Sequence, residues 1–299
     1  MFLEFISCVI VAGGLKSGFG VSTVEVLTNE RFKKLPNLPG NIDGSTMTLH
    51  NGTILICGGW GNKKSCLQLD RGVWNVHSVL KERRFCHSAI TTETATFIFG
   101  GHYSNTTYEY LPKDSNTWLV GKTEIPGGFW KGCAIASRSE EEIWLIGGLE
   151  NQRRILSFNT KHHTFQKLES SLNIERYEQR CAFIPNTNQI MITGGGSPSG
   201  SPGGEFASTE IFNTQTRNVK TASRMNFRRS EHGIGVIAIN GKDSLVVFGG
   251  QNNRYEDHDS IEVYNVQKGI WEITNMKLEE PKMAFGFLSV KLNDIKTGL

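Results

Sequence analysis

The chain has 299 residues, with 32 Lys and Arg against 29 Asp and Glu, a formal net charge of +3. That balance is too weak to mark a nucleic-acid binder, and no apolar run reaches the ~18 residues of a membrane-crossing helix, so neither nucleic acid nor membrane is expected as a partner. Glycine stands at 33 residues where an average chain of this length holds about 21, while only 8 prolines argue against a disordered Pro/Gly-rich chain.

Read from the N-terminus, the sequence returns to one unit six times. An apolar run, CVIVA, ends in the doublet Gly13–Gly14; an alternating segment STVEVL (22–27) follows, then a polar turn and Phe32. TILIC leads to Gly58–Gly59, SCLQL (65–69) and Trp74, and TFIF leads to Gly100–Gly101, TTYEY (106–110) and Trp118. IWLI leads to Gly147–Gly148, RILSF (154–158) and Phe165; IMIT leads to Gly194–Gly195, STEIF (208–212) and Val219. LVVF leads to Gly249–Gly250, SIEVY (260–264) and Trp271. Successive doublets are 45, 42, 47, 47 and 55 residues apart. After each large residue a basic or polar position precedes a small one by four: Asn41 and Ser45, Arg84 and Ser88, Phe129 and Cys133, Tyr177 and Cys181, Arg229 and Gly233, Lys282 and Gly286.

Alternation of β-branched and aromatic residues is the period-2 signal of half-buried strands, and no helical period intervenes. Each unit reads as about four strands, which cannot bury both faces alone; radial stacking of six such sheets buries them. Glycine at the doublet permits positive φ and lets a neighbouring backbone come close. The expected fold is all-β, one six-bladed propeller over 1–299 with four antiparallel strands per blade. The first doublet comes too early for a complete first blade, and the C-terminal stretch KMAFGFLSVKLN (282–293) is a strand without a doublet. The two are expected to share a blade, with the C-terminal strand pairing to EFISCVIVA and closing the ring. Without residues 281–299 an open, sticky edge is expected.

The doublets, the aromatic positions before Trp, and the Arg-x-x-His-Ser-like stretch resemble the kelch repeat. Arg84, Cys86, His87 and Ser88 carry that stretch, as do Arg229, His232 and Gly233. The likeness runs from about residue 5 to 292; only three of the six repeats have the Trp. The resemblance implies a non-catalytic protein-interaction module, similar to the substrate-recognition part of kelch-like adaptors of cullin-type ubiquitin ligases. Actin or other cytoskeletal binding is the alternative, and a kelch-type sugar-modifying enzyme the third. A cullin-ligase assembly or actin would be reached through regions outside these residues. In kelch-like propellers the loop after each doublet and the loop before each Arg/His stretch share one face. The first set contributes Lys63, Arg154, Arg254, Trp60, Tyr103 and Tyr255; the second contributes Arg83, Arg84, Lys131, Arg176, Arg180, Arg229, Trp130 and Tyr177. Arg and aromatic residues dominate interface energetics, and Arg forks carboxylates, so this face is expected to bind an acidic peptide segment.

Catalytic patterns are missing. His162 and His163 lie in a turn with no third ligand near; the 255–259 acidic loop lacks calcium-loop spacing; PSGSPGGE (198–205) lacks the Lys and following helix of a phosphate cradle. The insertion 196–207 reads as a flexible loop able to extend the binding face. No cofactor and no metal are expected. The six cysteines form no Cys-x-x-Cys pair and read as reduced, mostly buried thiols of a cytoplasmic protein. The N-terminal apolar run has no Lys or Arg before Lys16 and carries Glu4, so it reads as a strand; a signal peptide and secretion are the alternative.

Overall fold

The computed structural model describes residues 7–28, 31–197, 207–252 and 256–296. These residues build six four-stranded antiparallel sheets. The innermost strand of each sheet neighbours those of the two adjacent sheets, so the six close a ring around a central channel. From the channel outwards, blade 1 holds Gly286–Lys291, Ser7–Ala12, Val24–Thr28 and Arg31–Leu35. Blade 2 holds Thr46–His50, Thr53–Cys57, Ser65–Asp70 and Val73–Val79. Blade 3 holds Ser88–Thr91, Ala95–Phe99, Tyr108–Pro112 and Leu119–Val120. Blade 4 holds Cys133–Ala136, Glu142–Ile146, Arg154–Asn159 and Thr164–Ser171. Blade 5 holds Arg180–Phe183, Gln189–Thr193, Thr209–Asn213 and Val219–Ala222. Blade 6 holds Gly233–Ile239, Lys242–Phe248, Ser260–Asn265 and Ile270–Lys277.

Blade 1 joins the two ends of the chain. Its register runs from Ser7 opposite Lys291 to Ala12 opposite Gly286, which is the closure expected from the early first doublet. The second strands carry the core and are almost wholly buried, whereas an outermost strand such as Thr164–Ser171 leaves most of its side chains partly or fully exposed. Large residues of the outer strands fill the wedge between blades. The Trp74 indole donates to the Pro36 carbonyl of the preceding blade at 2.8 Å, and the Trp118 indole to Ser78 Oγ at 2.9 Å.

The doublets are needed twice over. In all six the first glycine has φ of 60–64° and the second 85–106°, a region where a Cβ is strained. A Cβ on Gly13 would lie 2.2 Å from the Ile42 carbonyl oxygen, and one on Gly100 1.6 Å from that of Phe129. The second glycine donates its N–H to the same carbonyl, Gly14 to Ile42 at 2.8 Å and Gly101 to Phe129 at 3.0 Å. Each doublet is therefore the point where one blade is hydrogen-bonded to the next.

The cysteines depart from the expectation of free thiols. Cys57 and Cys66, directly opposite on neighbouring strands of blade 2, form a disulfide. Cys133 and Cys181 form a second, tying the innermost strands of blades 4 and 5 together. Both partners of each pair stand on adjacent strands, so spacing along the chain (9 and 48 residues) shows no motif. Cys8 and Cys86 are the free thiols.

Candidate functional site

Six residues with left-handed backbone surround one end of the channel: Gly44, Cys86, Lys131, Glu178, Glu231 and Ala284, with φ between 50° and 61°. Each N–H donates to the carbonyl of the preceding member, from Gly44 to the Ala284 oxygen round to Ala284 to the Glu231 oxygen, at 2.6–3.2 Å. The result is a closed ring of six hydrogen bonds, one per blade. Only Gly44 uses the residue that adopts this conformation freely; the other five hold it at a cost, order 1 kcal/mol or more each. This ring also fixes the register of the repeat. Two residues before each member stand Ile42, Arg84, Phe129, Arg176, Arg229 and Lys282. The pairs read from the sequence as Asn41/Ser45 and Tyr177/Cys181 are therefore one residue out; the equivalents are Ile42/Thr46 and Arg176/Arg180. The true pair begins one residue later in the first case and one earlier in the second, and neither follows the polar-then-small pattern, since Ile42 is apolar and Arg180 is large.

Those arginines belong to the blade interior. Arg84, Arg176, Arg229 and Lys282 have no exposed surface. Arg84 Nε donates to Glu109 at 3.1 Å, Arg176 Nε to Glu210 at 2.9 Å and Arg229 Nε to Glu262 at 3.3 Å. In each, Nη1 donates to the carbonyl of the first doublet glycine of the same blade, at 2.6, 2.8 and 2.7 Å. Lys282 repeats the pair with Glu25 at 2.5 Å, joining the chain ends. The glutamates stand at one equivalent position of the third strand, opposite Ile98, Ile192, Val247 and Val11. In blades 2 and 4 that position is Leu67 and Leu156, opposite Ile56 and Leu145, and the cation is replaced by Ile42 and Phe129. Charge and counter-charge are present together or absent together. Burial lowers the pKa of Arg84 and Arg229, with the paired glutamate opposing it.

Arg154 is also buried; its Nη2 donates to the Gly128 carbonyl at 2.6 Å and its Nη1 to that of Pro126. Arg254 and Tyr255 lie outside the described residues, as does most of the 196–207 insertion. Four expected arginines thus act as internal braces, and the face is made by other side chains. The first residue after each doublet donates its N–H to the carbonyl just before each ring member, as Trp60 does to Asp43, His102 to Phe85 and Leu149 to Trp130. Both loop sets therefore meet on one face, around the ring.

On blades 2 to 5 this face carries a continuous aromatic arc. Trp60 meets Phe85 edge-on at 5.9 Å, Phe85 meets His102 at 5.4 Å and Tyr103 at 6.5 Å, and His102 meets Trp130 at 4.9 Å. Lys131 continues it, 5.5 Å from Trp130 and 5.8 Å from Tyr177. Trp60 is 51% exposed and Tyr103 46%. Lys63 lies over Trp60 at 4.8 Å, and exposed Arg83 forms no ion pair among the described residues. Of the expected residues, the structure brings together Tyr103, Trp130, Tyr177 and, just inside the ring, Arg180. Phe85 and His102 were not singled out in the sequence; the signal was their place beside Cys86 and after Gly101.

At the ring itself, Lys131 Nζ binds the Glu178 carboxylate and stands 3.9 Å from that of Glu231. Burial, then the nearby Glu178 charge, pushes the Glu231 carboxyl up to about 7, against the pull of Lys131 and Arg180. Burial works against the Lys131 ammonium, but its glutamates raise its pKa overall. Burial and then Arg84 push His87 down to about 3; neutral, it bonds Thr46 through Nε2 at 2.8 Å. His232 does the same with Thr193 at 2.7 Å. His163 is packed among Tyr108, Tyr110, Phe97 and Phe158. Among the described residues no group of three or more His, Cys, Asp or Glu is placed to hold a metal ion.

Residues 229–275 match the family model of the Kelch motif. They run from the buried arginine of blade 6 through its outer strand, and the other five blades repeat the same doublet and ring contacts. No curated protein matches the chain.

Proposed function

We propose that this chain, a kelch-repeat β-propeller, is a protein-recognition module that takes an acidic segment of a partner on its aromatic rim. The observation that supports this most is the arc from Trp60 through Phe85, His102 and Tyr103 to Trp130. Half-exposed Trp and Tyr beside cationic groups are the residue types that anchor interfaces. A partner segment mixing apolar and acidic side chains would cover Trp60 and Tyr103 while its carboxylates reach Lys63 and Arg83. Arg84, Arg154, Arg176 and Arg229 take no part, because they are buried and bonded inside the blade.

Partner or substrate recognition of the kind performed by adaptors of cullin-type ligases fits such a surface. The cysteines bear on where it operates. Disulfides persist in oxidising compartments, which favours the extracellular alternative and weighs against service in a cytosolic ligase. Counting free thiols in the protein from its native source decides this: two place it in an oxidising compartment, six in a reducing one.

The recognition reading is tested by panning a displayed peptide library on the propeller. Enrichment of peptides with Asp or Glu beside apolar residues, lost in Trp60→Ser/Tyr103→Ser with unchanged melting, supports it. Enrichment of uncharged peptides, or peptides indifferent to the two substitutions, contradicts it.

A further inference from the structure

Arg180, partly buried, differs from the buried Arg84, Arg154, Arg176 and Arg229 in its acceptors. It opens the innermost strand of blade 5, two residues past the ring member Glu178. Its Nη1 donates to the Gln179 carbonyl at 3.1 Å; no carboxylate of the described residues lies within ion-pair distance, and Nε and Nη2 find no acceptor among them. Arg84, Arg176 and Arg229, by contrast, each pair with a buried glutamate and donate to main-chain carbonyls. A partly buried guanidinium with spare donors and no carboxylate in ion-pair contact can still take an anion.

The group faces a cavity of about 360 Å³ in the channel, within the range of small-molecule sites. The ring side of this cavity is polar, with Lys131, Glu178, Glu231 and Cys86. Its lining also includes the apolar Ile90, Ile135, Val236 and Phe287. The Arg180 guanidinium stands 5.9 Å from the centre of the Phe287 ring. Lys131 binds Glu178 and stands 3.9 Å from Glu231, so neither carboxylate is in ion-pair contact with Arg180. The strained backbone at Cys86, Lys131, Glu178 and Glu231, where glycine would fit without cost, is the kind of expense found at ligand sites.

We propose that the channel binds a small organic carboxylate, its two oxygens forked by Arg180 and its apolar body lying along Phe287, Ile90 and Ile135. Bidentate pairing of a planar guanidinium with a carboxylate supplies the orientation, and the walls supply apolar contact. The site shares Lys131 with the rim but none of its aromatic residues, and it does not depend on the recognition reading.

The test is calorimetric titration of the intact protein with hexanoate, octanoate and benzoate, beside the matching amides. Carboxylates are expected to bind and the neutral amides to bind at least tenfold more weakly. Arg180→Met is expected to lose carboxylate binding at least tenfold while melting no lower than the parent. A crystal soaked with benzoate is expected to show the carboxylate on Arg180, which serves if the variant fails to fold. Trp60→Ser/Tyr103→Ser is expected to keep carboxylate binding, which separates this site from the rim. Amides binding as well as acids, carboxylates binding Arg180→Met undiminished, or no carboxylate binding at millimolar concentration overturns the proposal.

Discussion

Replacing Arg229 by methionine removes the brace of blade 6. Arg229 and Glu262 are both without exposed surface, and the guanidinium makes contacts of 3.3 Å from Nε and Nη2 to Glu262, 2.7 Å to the Gly249 carbonyl, 3.1 Å to the Ser260 carbonyl and 2.7 Å to Ser260 Oγ. Removing one member of a buried pair costs ~3–5 kcal/mol, because the other charge is left uncompensated. Glu262 keeps the N–H groups of Asn226 and Phe227 and the Asn226 amide, at 2.6, 3.1 and 2.9 Å, so the lower end applies, about 3 kcal/mol. At roughly 2–4 °C per kcal/mol for a large domain, Tm falls by roughly 6–12 °C. The double change Arg229→Leu/Glu262→Leu imitates the apolar pairs that blades 2 and 4 carry, Ile42 with Leu67 and Phe129 with Leu156. It is expected to be more stable than Arg229→Met by more than about 1 kcal/mol, since an apolar replacement of a buried pair is often close to neutral. Thermal and urea unfolding followed by circular dichroism measures both. If Arg229→Met melts like the parent and instead loses partner binding, the arginine is a surface group and the reasoning fails.

Four more outcomes follow from the same contacts. Removal of residues 281–299 strips the inner strand from blade 1 and exposes the Ser7–Ala12 edge; light scattering is expected to show association, and a monomer with parental melting would refute ring closure. Cys133→Ser/Cys181→Ser opens a 48-residue separation, which the chain-entropy relation values at about 4 kcal/mol, against about 3 kcal/mol for the nine-residue Cys57–Cys66 loop; urea unfolding under non-reducing conditions is expected to rank them in that order. Glu231 titrates at about 7 when folded against 4.5 when exposed, so its contribution is full below pH 4.5 and lost as pH rises through 7. Glu231→Gln is therefore expected to raise Tm over the parent at pH 8 and not at pH 4. His87 works the other way: about 3 folded against 6.5 exposed, its contribution is present above pH 6.5 and lost as pH falls towards 3, so His87→Gln is expected to flatten the acid limb of the Tm profile.

The ring was readable because glycine doublets and alternating strands repeat in phase, and closure because one strand was missing at one end and spare at the other. The fate of the arginines was not read, although a signal for it existed. Glutamate stands in the third strand of four repeats, at Glu25, Glu109, Glu210 and Glu262, and leucine in the two repeats without a buried cation. An acid at one fixed phase of an otherwise apolar strand, varying in step with a cation elsewhere in the repeat, marks a buried pair rather than a surface patch. The disulfides had no such signal, since cross-strand register and the meeting of blades 4 and 5 decide them. The aromatic arc was partly read: Trp60, Tyr103 and Trp130 are ordinary loop aromatics until the ring brings their blades together.

The most direct test of rim recognition is site-specific photo-crosslinking. With a benzophenone side chain at Tyr103, and as control at exposed Val76 on the outer strand of blade 2, the partner joined at each position is digested and sequenced by mass spectrometry. An acidic partner segment attached at 103 and absent at 76 is the predicted result. Attachment at 76 alone, or at 103 through a basic or uncharged segment, would contradict it.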